Sequence, residues 1–143
     1  LTAGPLPASF PYLSGCCLLF RRELLASDKL FDDDFFMYGE DTLLGWQMAR
    51  AGKILTCNED AVVCHAGRGS SRQSRLFYEY HMARAHVLLA LKTARSPAEI
   101  PFLLIAKSIG LALRAVRRCA RSGSAVPLLA FFLAWLPLEI RAR

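Results

Sequence analysis

From Arg72 to Ala94 the chain contains neither glycine nor proline, and Pro97 follows closely. A stretch of this composition is best satisfied as a long helix, because its residues lose little conformational freedom there and proline then ends the run. This helix divides the sequence. Before it lie short apolar runs cut by turn residues. Gly15 to Phe20, Ile54 to Cys57 and Ala61 to Cys64 read as short strands, the last two separated by the turn-like Asn58-Glu59-Asp60. Arg21 to Ala26 reads as a short helix and Asp41 to Ala51 as a longer one, with Gly52 as its stop. Pro5, Pro7 and Pro11 make residues 1 to 14 an irregular connection, and Gly67 to Ser71 is a flexible Gly/Ser segment.

After the long helix the composition changes. Pro101 to Cys119 is amphipathic, with Lys107, Arg114, Arg117 and Arg118 on a polar side. Ser122-Gly123-Ser124 is a hinge, and Val126 to Leu138 is almost wholly apolar. The uncharged stretch from Ser122 to Leu138 holds two prolines and falls short of the roughly 20 apolar residues of a spanning helix. Helices lying in a membrane interface are the expected form, in preference to a buried core helix with a solvated basic face. The charge distribution agrees. Residues 1 to 66 carry 5 Lys/Arg and 9 Asp/Glu, whereas residues 67 to 143 carry 13 and 3, so the net charge of +6 is the difference between an acidic half and a basic one. The basic half calls for an anionic partner, and an anionic membrane surface fits it. No nucleic acid is expected, because the arginines alternate with apolar stretches and have no aromatic stacking platform.

No signal-peptide pattern opens the sequence, and the chain reads as the C-terminal portion of a longer one. The five cysteines (Cys16, Cys17, Cys57, Cys64 and Cys119) have no C-x-x-C spacing and read as small buried hydrophobes in a reducing compartment. Cys57, Cys64 and His65 match no common zinc spacing.

Chemistry concentrates at Glu40-Asp41, where a helix begins. The first-turn N–H groups and the helix dipole stabilise a carboxylate there, and a positioned carboxylate accepts a proton from a hydroxyl nucleophile. An ordinary helix cap has the same residues. The flanking words distinguish the two readings. Gly15-Cys16-Cys17-Leu18-Leu19-Phe20-Arg21-Arg22-Glu23, Phe31-Asp32, Phe35-Phe36-Met37-Tyr38-Gly39-Glu40-Asp41, Ala51-Gly52 and Asp60-Ala61-Val62-Val63-Cys64-His65 occur in that order. Over roughly residues 12 to 95 the chain resembles the acceptor-side half of the family 2 inverting glycosyltransferases, the group that includes bacterial rhamnosyl- and galactofuranosyltransferases.

The resemblance implies an α/β fold: the acceptor-side part of a glycosyltransferase A (Rossmann-like) domain over residues 1–95, then amphipathic and apolar helices as a membrane-associating tail over 96–143. It implies Asp41 as general base in an inverting transfer from a nucleotide-sugar donor to a glycan or lipid-linked acceptor, in cell-envelope polysaccharide synthesis at the cytoplasmic face of the inner membrane. Glu40 would orient the acceptor or the base. Asp32, Phe36, Tyr38, Trp46, Arg68, Ser71 and Arg72 would contact substrates, Arg68, Ser71 and Arg72 from a mobile segment over the diphosphate. His65 would ligate a divalent metal (Mg or Mn) held mostly by residues outside this chain. Asp32-Asp33-Asp34 sits in the loop leading to the base and is not the family's Asp-x-Asp metal motif. Tyr78, Tyr80, His81 and Arg84 resemble an aromatic-then-Arg-Asn stretch, with Ala85 at the usual Asn. Leu43, Gln47 and Lys29-Leu30 depart from the pattern and bear on acceptor identity. The competing reading is a catalytically incomplete membrane-bound or acceptor-binding module.

Overall fold

The computed structural model describes residues 13–24, 29–58, 60–65 and 74–136. Among them the regular elements are a 3-10 turn, Arg22–Leu24, and four α-helices: α1 (Glu40–Arg50), α2 (Arg75–Thr93), α3 (Glu99–Ser122) and α4 (Val126–Ala134). The expected α/β architecture is therefore corrected: no strand forms among the described residues, and Thr56 is a lone bridge position. The runs taken for strands are short and apolar, but a strand exists only through ladder pairing with a neighbour. Here they run as exposed, unladdered chain. Leu19, Ile54, Val62 and Val63 face outward, and Gly15 gives its N–H to the Asp41 carboxylate. The turn between the last two runs does form. Asp60 N–H donates to Asn58 Oδ1 at 3.1 Å and Ala61 N–H to Asn58 O at 3.2 Å. The cysteine reading is corrected with it, since Cys16, Cys17, Cys57 and Cys64 are exposed and Cys119 half-buried.

Two compact units divide the chain: residues 1–33 with 40–67, and 34–39 with 68–143. In the first, α1 ends as its sequence dictates. Gly52 takes φ +66°, Gly52 N–H donates to Ala49 O at 3.0 Å and Lys53 N–H to Met48 O at 2.9 Å, the paired bonds of a Schellman stop.

In the second unit α2, α3 and α4 pack on one another. Ser74 caps α2 by accepting from Phe77 N–H at 3.3 Å. Pro101 sits in the first turn of α3, where its missing N–H costs nothing. Gly123 N–H donates to Cys119 O to close that helix. Ala83, Val87, Leu111 and Ala134 form the buried core, with Tyr80, Leu91, Leu104, Phe131 and Trp135 against it. Small residues at Ala83, Ala130 and Ala134 let the helices approach closely.

One ionic cluster joins α2 to α3. Glu79 is 1% exposed, and its carboxylate accepts from Arg114 Nη1 at 2.8 Å and Arg118 Nε at 2.5 Å. His86 lies on the same helix as Glu79. Burial, then the charges of Lys107 and Arg114, push its pKa below the usual histidine value. Burial, then Arg84, does the same to His81. The folded unit thus holds fewer protons on these rings than the unfolded chain does. Their contribution to stability is present above the unfolded value of 6.5 and is lost as pH falls from there through the lowered folded values. The midpoint of thermal unfolding is expected to drop between pH 7.5 and pH 5, and the His81→Gln, His86→Gln double variant to flatten that drop.

Candidate active site

The segment Phe35 to Asp41 spans the boundary between the units. Its last two residues open α1 in the first unit. Asp41 Oδ2 accepts from Gly15 N–H at 2.9 Å and Oδ1 from Thr42 N–H at 2.7 Å. Thr42 Oγ1 also donates to Oδ1, at 3.4 Å, so the three bonds fix the group while Oδ2 keeps a second lone pair to accept with. Asp41 lines a cavity of about 480 Å³ whose walls are largely apolar, from Leu13, Leu18, Leu44, Met48 and Leu55, with Arg21, Lys53 and Thr56 as polar members. A fixed carboxylate, two cations and apolar walls suit a ligand that carries a hydroxyl, a phosphate and hydrocarbon.

Glu40, beside it, differs. Its Oε2 is buried without a hydrogen-bond partner. Burial raises its pKa above the usual carboxylate value, a backbone hydrogen bond opposes this, and the Asp41 charge adds to the rise. The two adjacent carboxyl groups thus sit in different environments, Asp41 hydrogen-bonded and Glu40 with a buried, unpartnered oxygen.

The first five residues of the segment belong to the second unit. Tyr38 and Gly39 both have positive φ, 67° and 87°. A left-handed tyrosine is uncommon, and strain of this kind concentrates at functional loops. The Tyr38 ring meets Tyr78 edge-on with centroids 5.5 Å apart, and the Arg118 guanidinium lies 5.6 Å from the Tyr78 ring centroid. Phe36 is 74% exposed, stacked at 5.0 Å on His81 and 5.9 Å from Phe77. Asp34 pairs with Lys92 at 2.6 Å, whereas Asp33, which belongs to the first unit, pairs there with Lys29. Gly39 is required by geometry: an added Cβ would meet Phe35 Cε1 at 3.0 Å and Ala85 Cβ at 3.1 Å. Gly39→Ala is expected to destabilise the protein by about 2 kcal/mol, from left-handed strain plus overpacking. Urea unfolding checks this.

The sequence-predicted residues are dispersed. Asp41 alone among them lines the large cavity. Trp46 is half-buried under the Arg50 guanidinium, 4.9 Å from the ring centroid. Asp32 is half-buried in its loop. Arg68, Ser71 and Arg72 lie outside the described residues. His65 is exposed, and no group of three His, Cys, Asp or Glu side chains gathers to hold a metal among the described residues. These residues do not by themselves make a metal centre. Sequence reasoning missed Arg21 and Lys53, whose runs were assigned to a short helix and a strand boundary, and Phe77, which carried no signal beyond its helical composition.

No family model matches the chain, and no solved structure matches it. Among characterised proteins it is similar to the N-acetylglucosaminyl-diphospho-decaprenol L-rhamnosyltransferase of Mycobacterium tuberculosis, in two strains. The identity is 32% over 80 residues, covering 55% of this chain and 26% of the relative. The chain thus spans about a quarter of the length of these relatives.

Proposed function

We propose that the chain carries the acceptor-side chemistry of an inverting glycosyltransferase acting on a lipid-linked acceptor, in cell-envelope polysaccharide synthesis. The observation that carries this reading is Asp41, held by Gly15 and Thr42 at the wall of an apolar cavity that also presents Arg21 and Lys53. The similarity to a transferase whose name specifies a diphospho-decaprenol acceptor supports it.

In this reaction Asp41 takes the proton of the acceptor hydroxyl. The oxygen forms its bond to the anomeric carbon as the carbon–oxygen bond to the nucleoside diphosphate breaks, and the electron pair leaves with the diphosphate. Attack from the opposite face inverts the configuration. Apolar walls hold the first lipid units, and Arg21 and Lys53 face the acceptor's phosphates. Glu40 orients the acceptor or the base. The nucleotide-sugar donor is gripped by residues outside the described set, to which Arg68, Ser71 and Arg72 would add. His65 would contribute to holding a divalent metal at that donor grip, where the metal would offset the charge of the departing diphosphate. This reading places the transfer at the cytoplasmic face of the inner membrane.

The test is a panel of nucleotide sugars with a detergent-dispersed polyprenyl-diphospho-sugar acceptor. One donor is expected to be consumed, and NMR of the product to show the inverted anomeric configuration. Consumption of none, with the acceptor still bound, would replace this reading with the acceptor-binding module.

A further inference from the structure

Helix α3 is built inside out. Its cations Arg114 and Arg118 turn toward α2 and clasp the buried Glu79. Leu104 and Leu111 pack inward, but five other large apolar side chains turn away: Phe102, Ile105, Ile109, Leu113 and Val116 are all more than half exposed, Phe102 at 75% and Leu113 at 67%. Spacings of three and four place all five on one stripe, about 21 Å long at a helical rise of about 1.5 Å per residue. The helix cannot rotate to hide it, because turning would pull both guanidinium groups from Glu79 and leave a buried carboxylate unpaired. On α4, which packs on α3, Leu129 and Phe132 are exposed as well.

An apolar stripe of this length marks an interaction surface, and its charged edge selects the occupant. Arg117 and Arg121, one turn apart, are exposed along one side of the stripe. The helix carries no acid beyond Glu99, in a half-chain with 13 basic and 3 acidic residues. A second copy would bring a surface of the same excess positive charge against this one. An anionic bilayer surface accepts both features: the stripe enters the acyl boundary and the arginines meet the headgroups. No described helix is long and apolar enough to cross a membrane. We infer that α3 lies in the plane of an anionic bilayer, with Phe102, Ile105, Ile109, Leu113 and Val116 inserted and Arg117 and Arg121 on lipid phosphates. This deepens the proposal above and rests on it, since it brings the transferase to the surface that holds its lipid-linked acceptor.

Flotation of the full chain on phosphatidylglycerol/phosphatidylethanolamine vesicles, against phosphatidylcholine vesicles, tests the inference. The Ile105→Ser, Ile109→Ser, Leu113→Ser variant is expected to lose about tenfold or more in partitioning, with helix content by circular dichroism unchanged. Arg117→Glu with Arg121→Glu, which disturbs no core side chain, is expected to lose binding to the anionic vesicles alone and gives an independent reading should the triple variant unfold. Equal flotation of wild type and variants overturns the inference. So does a wild-type dimer, seen by analytical ultracentrifugation, that the triple variant dissociates while neither protein binds vesicles. Turnover on detergent-dispersed acceptor separates the two claims. It should survive the triple substitution, and its absence in the wild type would count against the transferase reading and not against the bilayer surface.

Discussion

Asp41→Asn is expected to lower kcat by about 10²- to 10⁴-fold, the contribution of a positioned general base, with KM for the acceptor little changed. The amide keeps the shape of the carboxylate and retains one oxygen for the Gly15 or Thr42 N–H that Asp41 now receives. What it loses is the ability to take a proton. The structural cost is limited to one weakened bond and the favourable carboxylate–helix dipole contact, together about 1–2 kcal/mol, so the variant should remain folded at 25 °C. Asp41→Glu retains the acid but moves it by a methylene, and partial activity is expected. Glu40→Gln is expected to cost less than Asp41→Asn, because Glu40 is assigned to orienting and an amide keeps its shape and an accepting oxygen. The checks are initial rates on the detergent-dispersed acceptor beside an unfolding curve for each variant. Wild-type turnover in Asp41→Asn would remove Asp41 from the reaction. The cavity would then be a binding pocket served by some other base.

The helices were legible because their signals are local. The Gly/Pro-free run gave α2, Gly52 the end of α1, and Ser122-Gly123-Ser124 the break between α3 and α4. The strands were not, because an apolar run of four to six residues states only a wish for burial, and pairing depends on partners far along the chain. Leu19 and Ile54 accordingly stand exposed where short strands were expected. The tail illustrates a subtler limit. Periodicity identified a polar side of α3, yet it could not say which side faces inward. Arg114 and Arg118 turn into the unit because Glu79, 35 and 39 residues earlier, waits there. In the first unit the sequence named Asp41 but could not bring Arg21 or Lys53 to its cavity, and in the second it named Phe36 but not its contact with His81, since those placements are tertiary.

Glu79→Gln should produce the largest stability loss, about 3 kcal/mol, the lower end of the cost of breaking a buried ion pair. The lower end applies because Arg114 and Arg118 are partly exposed, 28% and 39%, and their guanidinium groups can turn toward water. Glutamine fills the same space, so the loss reports charge and hydrogen bonding and not a cavity. One of its two positions presents an N–H to an arginine donor, which leaves two donors facing each other in a site that is 1% exposed. The effect belongs to the unit of α2, α3 and α4, which holds Trp135, whereas Trp46 lies in the other unit. In a Trp46→Phe background, urea unfolding followed by tryptophan fluorescence therefore reads the helical unit alone. The midpoint should fall while the slope holds. Replacing the triad together, Glu79→Met with Arg114→Leu and Arg118→Met, should recover most of the loss, since a buried ion pair is costly to break and contributes little net stability. What that variant gives up is the rotational lock on α3. With no charges to keep inside, the helix is free to turn its Phe102–Val116 stripe toward the core, and vesicle binding should weaken even as stability returns. A Glu79→Gln midpoint within about 0.5 kcal/mol of wild type, the range of ordinary surface substitutions, would mean the triad does not set the face that α3 presents.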